Sequence, residues 1–167
     1  MGQITYKYFS MKSKAHLLLA ASFFLCTLIA CDKDDDDDKV NNNIITKTGL
    51  AVTGAQEVPV KTSPASGTLD VSYDKSTKML SFTVVYQSLT AAPSGAHIHG
   101  PAAKGANAGI KYDFFAIFPK TQAGTFSDKV LVDGIKLKED SLLAGFYYVN
   151  IHTSTNPGGE IRGQIEW

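Results

Sequence analysis

From residue 44 onward the chain reads as short segments in which apolar and polar side chains alternate. Leu69, Val71 and Tyr73 alternate with Asp70, Ser72 and Asp74, and Leu80, Phe82, Val84 and Tyr86 alternate with Ser81, Thr83 and Gln87. A two-residue period sends one set to each face of an extended chain, so each segment is expected to be a half-buried β-strand. Asp74-Lys75-Ser76-Thr77-Lys78 between them is a turn, and the pair reads as a hairpin. Further strands are expected from Ile110 to Phe118, ending at Pro119, then from Phe126 to Val132, from Phe146 to His152 and from Glu160 to Trp167. Leu137 to Ala144 fits one or two helical turns stopped by Gly145. Short strands at this spacing, separated by Gly, Pro, Ser and Asn, predict an all-β antiparallel sandwich or barrel with one short helical turn.

Three of the four histidines lie in two segments of this β region. The first is Ala96-His97-Ile98-His99-Gly100-Pro101-Ala102. The second is Tyr148-Val149-Asn150-Ile151-His152-Thr153, followed by Gly158-Gly159-Glu160-Ile161-Arg162-Gly163-Gln164-Ile165. His97 and His99 are two apart and share a strand face, while Ile98 between them points to the core. Three imidazoles are enough protein ligands for an open zinc or copper site, with Glu57 or Glu160 as a fourth ligand or an outer acceptor. A shared ion requires their nitrogens to converge within about 4 Å. The same histidines could instead donate to backbone carbonyls and brace the Gly-Pro loops. Glu160 and Arg162, two apart, could pair with each other or with loop carbonyls. Gly158 and Gly159 predict a turn with positive φ, and Gly163 a bulge or close backbone contact.

These segments resemble the CHRD domain, a repeat first noted in chordin and found in many bacterial proteins. The resemblance is carried by Leu50, Thr53-Gly54-Ala55-Gln56-Glu57-Val58-Pro59, Ala65-Ser66-Gly67, the His97 segment, Ala144-Gly145 and the final segments from Tyr148 to Ile165. It implies a domain over residues 45–167 with an immunoglobulin-like or Cu,Zn superoxide dismutase-like Greek-key sandwich. That likeness rests on the His-x-His strand and the Arg of the Gly-rich tail, here Arg162. Dismutase chemistry is not expected, because it needs further histidines, a bridging His and a disulfide.

Ahead of this region, Lys12 and Lys14 precede a sixteen-residue run, Ala15 to Ala30, that is apolar apart from His16, Ser22, Cys26 and Thr27. A membrane-spanning helix needs about 20 residues, so residues 1–30 read as a signal peptide, with Met11 a plausible true start. Leu28-Ile29-Ala30-Cys31 resembles a bacterial lipobox, which implies cleavage before Cys31, a diacylglycerol on its sulfur and palmitate-type acylation of its new amine. Several acyl chains anchor stably where one is marginal. Cys26 and Cys31 are the two cysteines, so residues 45–167 offer no thiol, no disulfide and no Cys-ligated zinc.

Residues 31–44 hold the Cys and a run Asp32-Lys33-Asp34 to Asp38-Lys39, whose adjacent carboxylates repel and form a solvated tether. The run resembles the surface-export signal of Bacteroidetes lipoproteins. It also resembles an engineered protease site, a reading the adjoining lipobox disfavours, and it lacks the spaced ligands of a calcium loop. Residues 44–167 carry eleven basic and ten acidic groups, and no basic face points to nucleic acid. Nucleophile-elbow, Walker and His-Glu-x-x-His sequences are missing. Tyr147, Tyr148, Phe114, Phe115 and Trp167 read as packing, with a carbohydrate platform as the minor alternative. The reading is therefore a lipid-anchored outer-membrane protein of a Gram-negative cell, exposed at the surface. Its domain is a non-enzymatic binding or structural one that needs no cofactor and meets an extracellular protein or carbohydrate. The alternative is a zinc or copper domain, potentially redox active, on His97, His99 and His152.

Overall fold

The computed structural model describes residues 43–167. The signal peptide, Cys31 and the acidic tether lie outside the described residues. The strands are β1 (Ile44–Thr53), β2 (Ser66–Asp74), β3 (Met79–Gln87), β4 (Pro93–His99), β5 (Ile110–Asp113), β6 (Gly124–Leu131), β7 (Tyr148–Thr153) and β8 (Ile161–Gln164). One helical turn, α1 (Glu139–Leu143), precedes β7. Among the described residues no helix is long and apolar enough to cross a membrane.

The eight strands form one sheet in the order β5-β4-β7-β8-β1-β2-β3-β6. Every neighbouring pair is antiparallel. The expected hairpin is β2-β3, paired without interruption from Ser66–Gln87 to Asp74–Met79. Its turn is held by Asp74 Oδ1, which accepts from the Ser76 amide at 2.8 Å and from the Ser76 hydroxyl at 2.5 Å. The sheet curls until its two edges meet. Tyr112 Oη on β5 donates to Asp128 Oδ2 on β6 at 2.7 Å, and the Phe114 and Phe126 rings stack at 5.2 Å. The result is a nearly closed, barrel-like sheet.

The inward face carries the core. Leu69, Val71 and Tyr73 face Leu80, Phe82 and Val84, and Ile98, Val149, Ile151 and Ile161 close the other side. Alternation explains this placement. The side chains between these, such as Ser81 and Gln87, are exposed.

The expected strand from Ile110 to Phe118 ends early, at Asp113. Asp113 Oδ1 accepts the Phe115 amide at 2.9 Å, and Phe115–Ile117 form a 3-10 turn. Phe114 and Phe118, on either side of that turn, both enter the core. The last strand ends at Gln164, and Trp167 instead donates its indole N–H to the Leu142 carbonyl of α1 at 2.9 Å.

Phe114 packs against Phe82, Phe118 and Phe126 at the seam where the sheet closes. Phe114→Ala is expected to cost about 3–5 kcal/mol in urea unfolding. A loss under about 1 kcal/mol would mean that the seam contributes little.

Candidate functional site

The two-residue period that builds the core also builds a polar layer on the opposite face of β4, β7 and β8. Ala96 and Ile98 point inward, so Gly95, His97 and His99 point outward. On β7, Val149 and Ile151 point inward, which leaves Tyr148, Asn150 and His152 outside. On β8, Ile161 and Gly163 point inward, and Arg162 and Gln164 point out. The register sets these side chains side by side. His97 faces Asn150 and Asn150 faces Arg162. His99 faces Tyr148 and Tyr148 faces Gln164. Gly95 faces His152.

This outer face is not solvated. Asn150, Arg162 and Gln164 are buried, and the three histidines are partly buried. The loops between β1 and β2, β4 and β5, and β7 and β8 supply the partners that cover them. Asn107 Oδ1 accepts from the Arg162 guanidinium at 3.4 Å, and Asn107 Nδ2 donates to the Val58 carbonyl at 2.8 Å.

The histidines come together. One ring nitrogen from each of His97, His99 and His152 lies within 4.8 Å of the other two. His97 Nδ1 and His152 Nε2 are 3.0 Å apart. Nitrogens bound at 2.0–2.1 Å to one tetrahedral ion lie about 3.4 Å apart. The His97–His152 pair meets the requirement of about 4 Å, and the full set, at up to 4.8 Å, lies just outside it.

The remaining nitrogens are oriented from outside. His99 Nδ1 is 2.9 Å from the Ala108 carbonyl, and His152 Nδ1 is 2.9 Å from the Pro157 carbonyl. A carbonyl only accepts, so each Nδ1 carries the proton and each Nε2 presents a lone pair. His99 Nε2 is buried and has no hydrogen-bond partner. His97 Nε2 stands 3.7 Å from Asp113 Oδ1.

Burial favours the neutral rings. The His97 pKa is lowered to about 4, by burial first and then by His152. His99 and His152 are also lowered, chiefly by burial, with the Ala108 and Pro157 carbonyls pulling the other way. Uncharged imidazole is the form that ligates a metal.

Arg162 does not pair with Glu160. It lies over the Tyr148 ring at 3.4 Å, and Tyr148 in turn stacks on His99 at 5.0 Å with 5° between the ring planes. Its Nη2 donates to Gln164 Oε1 at 3.0 Å. Glu160 precedes β8, and the Gly159 turn (φ +123°) directs its carboxylate to inward-facing Thr153 instead. There it accepts from Ser63, Thr90 and Thr153 at 2.6–2.9 Å and joins three loops. Burial raises its pKa, but those donors outweigh it and hold the carboxyl below its ordinary value. Of the expected pair Gly158 and Gly159, only Gly159 has positive φ, and Gly163 makes the close approach expected of it, with Val52.

Glu57 reaches the polar layer from the β1–β2 loop. It accepts from Asn150 Nδ2 at 2.7 Å. Burial pushes its pKa up to about 7 against the pull of Arg162. Neither Glu57 nor Glu160 is grouped with the three histidines. Sequence reading missed Gly95, Asn150, Gln164 and Asp113. The polar residue at every second position of Tyr148-Val149-Asn150-Ile151-His152 was the available signal. Tyr147, Tyr148 and Phe114 are buried, as packing residues should be, and Phe115 and Trp167 are partly buried against the core.

Residues 49–165 match the family described as the CHRD domain. No curated protein and no solved structure matches the chain.

Gly95 makes room for the His97–His152 contact. A Cβ there would lie 2.9 Å from His97 Cε1 and 3.1 Å from His152 Cδ2. Gly95→Ala is therefore expected to separate the two rings while the fold persists, read as loss of their coupling in imidazole ¹⁵N spectra. Unchanged spectra would contradict this packing account.

His97 and Glu57 also set opposite pH slopes. The His97 contribution is present above about 6.5 and is lost as pH falls toward about 4. The Glu57 contribution is present below 4.5 and is lost as pH rises through about 7. Glu57→Gln removes the second slope. Its stability should fall more steeply than that of the wild type between pH 6.5 and pH 4.5, and parallel urea-unfolding curves across that range would refute the assignment.

Proposed function

The chain belongs to the CHRD domain family, and on that premise we propose that it is a non-enzymatic, lipid-anchored binding protein whose domain takes a zinc or copper ion on His97, His99 and His152. One observation carries this reading. Each histidine has one nitrogen turned to an outer carbonyl or carboxylate, namely Ala108, Pro157 or Asp113, and the other turned to the shared centre. Metal-ligating histidines are oriented in this way by their outer partners. The set is imidazole only, which suits zinc or copper and not calcium or magnesium. His97 would adapt by moving one proton from Nδ1 to Nε2, toward Asp113. Neither Glu57 nor Glu160 groups with the three histidines, so a fourth ligand has to come from elsewhere.

The second reading is that the imidazoles brace loops. The 3.0 Å His97–His152 contact and the two carbonyl bonds favour it. The readings separate in one titration. Zinc at a hundred times its dissociation constant should raise stability by roughly 2.7 kcal/mol, and the triple variant His97→Ala, His99→Ala, His152→Ala should not respond. No change in wild-type melting temperature at millimolar zinc or copper would leave bracing as the role. In that case His97→Ala and His152→Ala would each cost about 1–3 kcal/mol by leaving buried partners unpaired.

The anchoring part rests on Leu28-Ile29-Ala30-Cys31 and the acidic run after it. It places the domain at the outer membrane with Cys31 lipidated and the tether facing outward. Cys31→Ser is expected to release the protein from membranes, and an unmodified Cys31 in the mass spectrum of the mature chain would overturn the proposal. The fold part is a Greek-key arrangement of the Cu,Zn dismutase kind. It is supported by the two long crossings, β3 to β4 and β6 to β7, that leave β6 beside β3 and β7 beside β4.

A further inference from the structure

The three histidines leave a fourth donor to be found, and the sequence offered Glu57 or Glu160 for that place. Glu160 is saturated by Ser63, Thr90 and Thr153. Glu57 accepts from Asn150 Nδ2 and does not group with the histidines. Asn150 shares the outward face of β4 and β7 with the three histidines. It faces His97 across the β4–β7 pair, and His152 lies two residues along the same face. His99 is its diagonal neighbour. Directly opposed residues on one face have Cβ atoms about 4.5–5.5 Å apart, and diagonal ones about 7–8 Å, within reach of side chains this long.

The Asn150 amide is fixed at one end only. Its Nδ2 donates to Glu57, and Gly159 leaves room for that contact, since a Cβ there would lie 2.2 Å from Nδ2 and 2.5 Å from Glu57 Oε1. Its Oδ1 is buried and has no partner, on a residue only 2 % exposed. A buried amide oxygen left unpaired is destabilising. His99 Nε2 is a second buried acceptor without a partner on this same face. Two unsatisfied lone pairs so close in the register are both relieved by one species, a cation.

Resting on the metal reading above, we propose that Asn150 Oδ1 is the fourth oxygen donor of the site, facing the position that His97, His99 and His152 leave open. The site is then an uncharged three-nitrogen, one-oxygen set, the composition of a borderline divalent ion and not of a soft monovalent one. Glu57 acts as a positioning residue, holding the amide by its nitrogen so that its oxygen faces the ion.

Cobalt(II) is the probe, because its visible absorption reports the number and kind of its ligands. The full chain is titrated as wild type, Asn150→Asp and Asn150→Ala, with metal-free melting curves confirming that each variant folds. Asn150→Asp puts an anionic oxygen at the site and should bind cobalt at least tenfold more tightly, with a shifted absorption band. Asn150→Ala should bind roughly tenfold to a hundredfold more weakly, also with a shifted band. Identical bands and affinities in all three proteins would overturn the assignment of Asn150 while leaving the histidine site intact. Absence of any cobalt band in the wild type would instead remove the histidine site, and this inference with it.

Discussion

The register of β4 against β7, and of β7 against β8, is the constraint on which the rest depends. A slip of one residue would turn Ile98, Val149, Ile151 and Ile161 out of the core and drive His97, Asn150 and Arg162 into it. The apolar core therefore fixes the polar layer behind it. Burial of about 25 cal/mol per Å² of apolar surface on one face specifies, without further cost, which side chains meet on the other. In this register His97 lies beside Asn150 and Asn150 beside Arg162, and the side chain missing at Gly95 leaves space for His152.

A polar layer of this kind is stable only when its members satisfy one another. Arg162 shows how that is done. Its charge is nearly inaccessible, and it is met by the Tyr148 ring, Gln164, Asn107 and the field of Glu57. Tyr148 passes the same stack on to His99. Two acceptors break the pattern, Asn150 Oδ1 and His99 Nε2. His99 belongs to the converging imidazoles and Asn150 faces His97 across the β4–β7 pair, and a site for a cation accounts for both atoms at once. Loop bracing accounts for the Nδ1 contacts but leaves these two atoms unexplained.

Much of the fold could be read from the sequence because the period-two signal is strong where one face is core and the other solvent, as in the β2-β3 hairpin. The His-x-His pair and the inward Ile98 were legible for the same reason. The signal failed where both faces are buried. The outward side of β7 and β8 reads as polar, yet it is covered by loops, and nothing in the sequence marks Asn150 and Gln164 as buried. Asp113 interrupts an apolar run by capping a 3-10 turn, an event set by one side-chain oxygen that periodicity does not register. Of the two alternatives their spacing left open, the Glu160–Arg162 pair does not form, because Glu160 sits before the strand, past a positive-φ glycine, where spacing no longer defines a face.

The most direct measurement of the account is the tautomer of each histidine, read by ¹⁵N NMR of the imidazoles with and without one equivalent of zinc. The account predicts that His99 and His152 carry the proton on Nδ1 in both states, held by the Ala108 and Pro157 carbonyls. It predicts that His97 moves its proton from Nδ1 to Nε2 when zinc is added, with metal-induced shifts at His97 Nδ1, His99 Nε2 and His152 Nε2. Zinc that leaves all three rings unchanged, while shifting only resonances of the acidic run after Cys31, would contradict it.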